Sequence, residues 1–261
     1  MKLIQNNGHV VLHALEMENR GVRRRLMLRR YIDLEWLQLE PDVAEREARV
    51  LQHLEHWPEL RTPKLVAVDP HGRELGWPTV LMTRLPGHER WKPPSIEQFA
   101  AVAPAIHSVR PPRAFRKYRP YYDFTTIKPP DWSSQPNLWE RAYAVAARAK
   151  VDPQHVSFIQ RDHHAGNVLW SYGRVTGVVD WVEACVGPPA VDYARARINL
   201  AAQIGISAAR RYAKCPGIEV DPLWDIVDAC DCGRGTNGVL PGANAEPGIE
   251  AFVADALSEL G

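Results

Sequence analysis

The chain is expected to fold as an α+β protein, with a small β-rich N-terminal lobe carrying one helix and a larger helical lobe after it. Three observations predict this. Strand-like runs dominate residues 9–85 around a single amphipathic helix, helical periodicity takes over from about residue 95, and only 155–182 interrupts it with short strands. At 261 residues the chain can bury a sizeable core in each of two lobes, and the boundary is placed between residues 85 and 86.

The elements follow in order. HVVLHALEM (9–17) and VRRRLMLRRY (22–31) flank Glu18-Asn19-Arg20-Gly21 and read as a hairpin. In PDVAEREARVLQHLEHW, Val43, Val50, Leu51 and Leu54 share one helix face; Asp42 is placed to cap it and Pro58 to end the pattern. KLVAVD (64–69) and PTVLMTRL (78–85) read as strands separated by His71-Gly72 and Gly76. The proline-rich stretch 111–136 reads as an extended connector. SIEQFAAVAPAIHSV, NLWERAYAVAARAK, AVDYARARINLAAQI and PGIEAFVADALSEL read as helices, and HVSFIQ, NVLW and VTGVVDW as short strands. The Gly-, Pro- and Asn-rich stretch 232–247 reads as a mobile loop.

Composition narrows the class of function. Hydrophobic residues at 45% and charged ones at 24% match an ordinary folded domain. Thirty-two Lys+Arg against 31 Asp+Glu give a formal charge of +1, which excludes the broad positive field of a non-specific nucleic-acid binder. No apolar run reaches the roughly 18 residues of a membrane span, so no membrane association is expected and the cytoplasm is the expected compartment. Cys185, Cys215, Cys230 and Cys232 lack both a disulfide framework and zinc-ligand spacing, and are expected as reduced thiols.

The chemistry concentrates in the β interruption. Gln160-Arg161-Asp162-His163-His164-Ala165-Gly166-Asn167 joins two apolar strands, so Asp162 and Asn167 share one tight loop, and Asp180 ends the apolar run that begins at Val175. A carboxylate that can deprotonate a hydroxyl, together with hard oxygen donors suited to Mg²⁺, is the set that phosphoryl transfer requires. The neighbouring His163 and His164 lack a second ligand cluster and do not read as a zinc site. Arg23 to Arg25 with Arg29 and Arg30 lie on a strand, where alternation leaves a solvated edge plus one functional arginine.

At these residues the chain resembles the aminoglycoside phosphotransferase and choline kinase-like family of small-molecule kinases, which have a protein-kinase-like two-lobe fold. QRDHHAGNVLWSYGRVTGVVDW is similar to the family's catalytic loop and metal-binding Asp motif. EREARVLQHLEHWPELRTPKLVAVDPHG is similar to its helix and following strand, VLMTRLPG to its hinge, AAVAPAIHSV to its helix end, and GPPAVDYARARINL to the helix after the metal Asp. The resemblance implies an ATP-dependent phosphotransferase acting on a hydroxyl of a small molecule, with residues 1–85 binding nucleotide and 86–261 holding the catalytic loop and acceptor pocket. It implies Asp162 as base, Asn167 and Asp180 as Mg²⁺ ligands, Arg29 as the phosphate-contacting cation and Glu47 as its helix partner. It also implies hinge backbone at Met82, Thr83 and Arg84 against adenine, and Asp192 as a buried brace.

Two departures stand out. Gln160 occupies the place of the family's His two residues before the base, and only Met1 to Gly8 stand where a leading strand and a Gly/Ser-rich phosphate loop are expected. Gln5-Asn6-Asn7-Gly8 is a poor phosphate loop, so weak ATP binding is expected. The alternative is therefore a kinase-like binding or regulatory protein with little or no turnover. Oligomeric state and the identity of the acceptor are not legible.

Overall fold

The structure is a computed structural model that describes residues 1–19, 21–112, 114–232 and 245–260. Arg20 of the expected hairpin turn, and residues 233–244 of the Gly-, Pro- and Asn-rich stretch, lie outside the described residues. The chain divides into two compact units. One comprises Met1–His88, Leu169–Ser171 and Thr176–Ala184; the other comprises Glu89–Val168, Tyr172–Val175 and Cys185–Gly261.

The first unit contains β1 (Lys2–Asn6), β2 (Val10–Asn19), β3 (Val22–Tyr31), α1 (Leu34–Leu39), α2 (Val43–Leu54), β4 (Leu65–Asp69) and β5 (Thr79–Thr83). These strands form an antiparallel sheet in the order β1-β2-β3-β5-β4. β2 and β3 are the expected hairpin, in register from Val10 opposite Tyr31 to Asn19 opposite Val22. That register sets Glu18 across from Arg23 and Glu16 across from Arg25, and both pairs form exposed ion pairs. The basic run is thus partly neutralised by its own sheet.

Two expectations need correcting here. Met1 to Gly8 build a real strand and turn: β1 pairs with β2, and Gly8 at φ 86° closes the connection in a backbone region open to glycine. The helix carrying Glu47 also does not come directly after β3, because α1 intervenes, capped by the Asp33 side chain on the Trp36 N–H. On α2, Val43, Val50, Leu51 and Leu54 are all buried, as their spacing requires, and the helix packs on β4 and β5. Each such side chain contributes about 1.5–3 kcal/mol of burial. Asp42 occupies the N-cap position but caps nothing; its carboxylate accepts from Arg46 instead.

Beyond β6 (His88–Glu89), the second unit holds α3 (Ile96–Ala100), α4 (Val102–His107), α5 (Pro136–Ala146) and β7 (Ser157–Ile159). After β8 (Val168–Ser171) and β9 (Arg174–Val178) come β10 (Cys185–Gly187), α6 (Pro189–Gln203), α7 (Ile206–Ala213), α8 (Pro222–Cys232) and α9 (Ala245–Glu259). β10 pairs antiparallel with β7, with Cys185 opposite Ile159. The proline-rich connector is irregular, as expected, and touches that pair through the Tyr118 N–H on the Val186 carbonyl. α6 is the hub, packed by α7, α8 and α9 and buried from Val191 to Ala202. The four cysteines are buried. Among the described residues no helix is long and apolar enough to cross a membrane.

Candidate active site

In the first unit, Arg29 on β3 and Glu47 on α2 meet in a buried ion pair, Nη1 to Oε1 at 2.8 Å. The same guanidinium forks onto both oxygens of Asp180, at 2.8 and 2.9 Å. Tyr31 donates its hydroxyl to the second Glu47 oxygen at 2.5 Å. Burial works against the charge on Arg29, but Asp180 and Glu47 outweigh it and keep the guanidinium firmly protonated. Asp180 is itself in the left-handed region at φ 63°, a conformation a non-glycine residue holds only when its surroundings enforce it. Here the bidentate Arg29 contact and the fully buried Trp181 beside it supply that enforcement.

In the second unit the loop after β7 is built around Asp192 of α6. Its fully buried carboxylate accepts the Gln160 N–H at 2.9 Å and the Arg161 N–H at 2.7 Å, while His107 donates to it from Nε2 at 3.0 Å. With consecutive amides tied to one carboxylate, Arg161 turns left-handed at φ 67° and the chain presents Asp162. The Arg161 side chain lies over the Tyr121 ring, 3.7 Å from its centroid.

Asp162 is partly exposed and surrounded by donors. Asn167 Nδ2 donates to its backbone carbonyl at 2.9 Å and to Oδ2 at 3.1 Å, His164 Nε2 lies 3.4 Å from Oδ2, and Arg195 Nη1 lies 3.8 Å from Oδ1. Burial would raise its pKa, but His164, Arg195 and Asn167 outweigh that and hold the carboxyl well below the usual range. His164 Nδ1 accepts the Gly166 N–H at 3.1 Å, which fixes the proton on Nε2, facing Asp162. Trp91 stacks on the His164 ring at 4.7 Å, and a Cβ on Gly166 would come within 3.0 Å of Trp91, so the turn is closed to larger residues. Asn167 spends its amide on Asp162, leaving Oδ1 without a partner among the described residues.

His163, unlike its neighbour, is fully buried against Phe99, with Nδ1 3.1 Å from Gln160 Oε1. The residue in the family's His position is therefore held by a histidine three residues on. Burial pushes His163 down to about 4. An unfolded histidine titrates near about 6.5, so between those values the unfolded chain binds the extra proton and stability falls with falling pH. The protein is expected to lose about 2 kcal/mol from this group between pH 7 and 5. His163→Leu is expected to remove that loss, and equal urea midpoint shifts in parent and variant over this interval would refute the assignment.

Met82 lies in β5, and the N–H groups of Thr83 and Arg84 already donate to the Lys64 and Arg25 carbonyls, at 2.9 and 3.0 Å. Those two amides are therefore engaged within the sheet. The turn after β1 is similarly committed: Asn6 and Asn7 side chains accept from the N–H groups of Gly8, His9 and Val10. Sequence reading missed Trp91 and Arg195. The signal for Arg195 was present as two arginines two residues apart in an Ala-rich helix that is otherwise core. Among the described residues no group of three His, Cys, Asp or Glu side chains could hold a metal ion.

The model of the phosphotransferase enzyme family (APH) matches residues 12–230. A thermostable mutant of aminoglycoside phosphotransferase APH(4)-Ia superimposes with a TM-score of 0.64 at 16% identity, over 97% of this chain and 93% of that one. Spectinomycin phosphotransferase APH(9)-Ia, in complex with ADP and spectinomycin, gives 0.57 at 13% identity, over 98% and 92%. Amicoumacin kinase hAmiN, with AMP-PNP and Ca²⁺, gives 0.56 at 12%, over 99% and 88%. No curated protein matches the chain. These structural likenesses establish the protein-kinase-like fold.

Proposed function

Because the chain belongs to the phosphotransferase enzyme family, we propose that it moves the γ-phosphoryl group of ATP to a hydroxyl of a small molecule. The observation that carries this reading is the state of Asp162: ionised, partly exposed, and set on a turn whose amides are tied to Asp192. Such a carboxylate accepts the hydroxyl proton as the acceptor oxygen attacks phosphorus. Asn167 orients it through two hydrogen bonds, and His164 Nε2 lies 3.4 Å to its side.

Asn167 and Asp180 are the residues that would hold Mg²⁺. Both offer hard oxygen, and the unpartnered Oδ1 of Asn167 fits such a role. Bound there, the cation would neutralise charge on the nucleotide phosphates. Arg29 sits firmly charged against Asp180 and Glu47, suited to an anionic phosphate, and the backbone around Met82, Thr83 and Arg84 would meet adenine through its carbonyls. Nucleotide affinity is expected to depend on divalent cation and Asp180→Ala to abolish that dependence; equal ATP binding by the parent with and without Mg²⁺ in calorimetry would count against this assignment.

A second reading, a kinase-like binding protein with little turnover, is favoured by one observation. The three N–H groups of the turn after β1 are taken by Asn6 and Asn7, so they are not free for phosphate. Measuring ADP release from Mg·ATP across a panel of hydroxylated small molecules separates the two. Acceptor-stimulated turnover supports the enzyme; micromolar ATP binding without any stimulated turnover supports the binding protein.

A further inference from the structure

We propose that Arg195 is a catalytic residue, whose guanidinium donates to the oxygens of the phosphoryl group in transit. This rests on the phosphotransferase reading above. Arg195 projects from α6 with a side chain only 3% exposed. Its contacts are two loose ion pairs, Nη1 to Asp162 at 3.8 Å and Nε to Asp228 at 3.4 Å, and its side chain makes no hydrogen bond among the described residues.

A guanidinium offers five N–H donors in a rigid fork matched to carboxylate and phosphate oxygens. Among the described residues Nε is buried without a hydrogen bond and the Nη nitrogens make none either, so the end of the guanidinium beside Asp162 has its donors available to a phosphoryl oxygen. Asp162 does not need it, since Asn167 already makes two hydrogen bonds to that residue. The rear of Arg195 is fixed by Asp228, itself held by the Cys232 thiol at 3.2 Å, so the fork's Nη1 end is the one that reaches Asp162.

In the transfer, the acceptor oxygen forms a bond to the γ-phosphorus and its proton goes to Asp162. The bond from phosphorus to the bridging oxygen breaks, and its electron pair leaves with ADP. The phosphorus then lies one bond from the acceptor oxygen that was hydrogen-bonded to Asp162, which brings its non-bridging oxygens within reach of a donor 3.8 Å from that carboxylate. Charge spreads over the three non-bridging oxygens at that moment, and a preorganised donor stabilises it at little reorganisation cost.

The test uses Mg·ADP with aluminium fluoride, a mimic of the phosphoryl group in flight, in calorimetry, and ATP hydrolysis with water as acceptor in parallel. Arg195→Ala alone would strand Asp228, so the variants are Arg195→Lys and the double change Arg195→Ala with Asp228→Asn, with Asp228→Asn as control. The parent is expected to bind Mg·ADP at least tenfold more tightly with fluoroaluminate. Both arginine variants should lose at least tenfold of that gain and of hydrolysis, while binding Mg·ADP alone within threefold of the parent; Asp228→Asn should keep both. Arginine variants that hydrolyse ATP within threefold of the parent overturn the proposal, as does an Asp228→Asn loss equal to theirs, which would make the pair structural. A parent with neither fluoroaluminate gain nor any ATP turnover, even with the acceptor panel, overturns the phosphotransferase reading itself and this inference with it.

Discussion

Asp162→Asn is expected to lower acceptor-stimulated ATP turnover by about 10²–10⁴-fold, the usual worth of a positioned general base, while leaving Mg·ATP affinity within a few-fold. The amide keeps the shape of the carboxylate and its place between Asn167 and His164, but it cannot take up the hydroxyl proton. Initial rates on the purified variant, with circular dichroism to show that it folds, decide the matter; turnover within a few-fold of the parent would remove Asp162 from the chemistry. The pH profile gives a second check. Because its neighbours hold Asp162 well below the ordinary carboxylate range, it stays ionised as pH falls from 7 to 5. Protonation of the base should therefore not reduce turnover in that interval. Thermodynamic stability behaves differently, since His163 costs the fold more as the medium acidifies over the same range.

Arg29→Met is expected to destabilise the fold by about 3–5 kcal/mol, the range seen when one partner of a buried ion pair is removed. Glu47 is 1% exposed and would keep only the Tyr31 hydroxyl, so its charge would be left largely uncompensated. For a chain of this size the corresponding drop in thermal midpoint is on the order of 10 °C. Arg29→Lys should recover only part of it, because one ammonium cannot reproduce the fork that bonds Glu47 and both oxygens of Asp180. Scanning calorimetry on the three proteins checks the order; a Met variant melting within 2 °C of the parent would contradict the network's structural weight.

The sequence made the hairpin of β2 and β3, the face of α2 and the loop from Gln160 to Asn167 legible for the same reason: each rests on local pattern. Period-two alternation, three- and four-residue spacing and an Asp-x4-Asn turn are all written within one element. What escaped was non-local or unpatterned. Every residue of β1 is exposed, so it carries no alternation to read. α1 is six residues long and buries none of them. α8, PLWDIVDACDC, sets Asp225, Asp228 and Asp231 on its buried side, where an amphipathic reading demands apolar residues. Their partners, Arg197, Arg195 and Arg161, come from α6 and from the loop after β7, at least 28 residues away in sequence for the closest pair. No local rule connects them. For the candidate site, the chemistry of Asp162 and Asn167 was readable from type and spacing, whereas Arg195 could be found only once α6 was folded against that loop.

The Arg197 to Asp225 pair has a consequence for how this protein can change over generations. Both side chains are almost wholly enclosed, Arg197 also lies over the Phe252 ring, and burial outweighs the pull of its partner and raises Asp225 to about 7. Losing either residue first leaves its partner buried without its ion-pair contact, so each single step leads downhill, although exchanging both for apolar residues of similar volume would be tolerated. Descendants should therefore keep the two positions or replace them together, in a route that crosses a poorly folded intermediate. In a library randomised at positions 197 and 225, survivors should fall into a charged pair class and an apolar pair class, with the mixed combinations depleted.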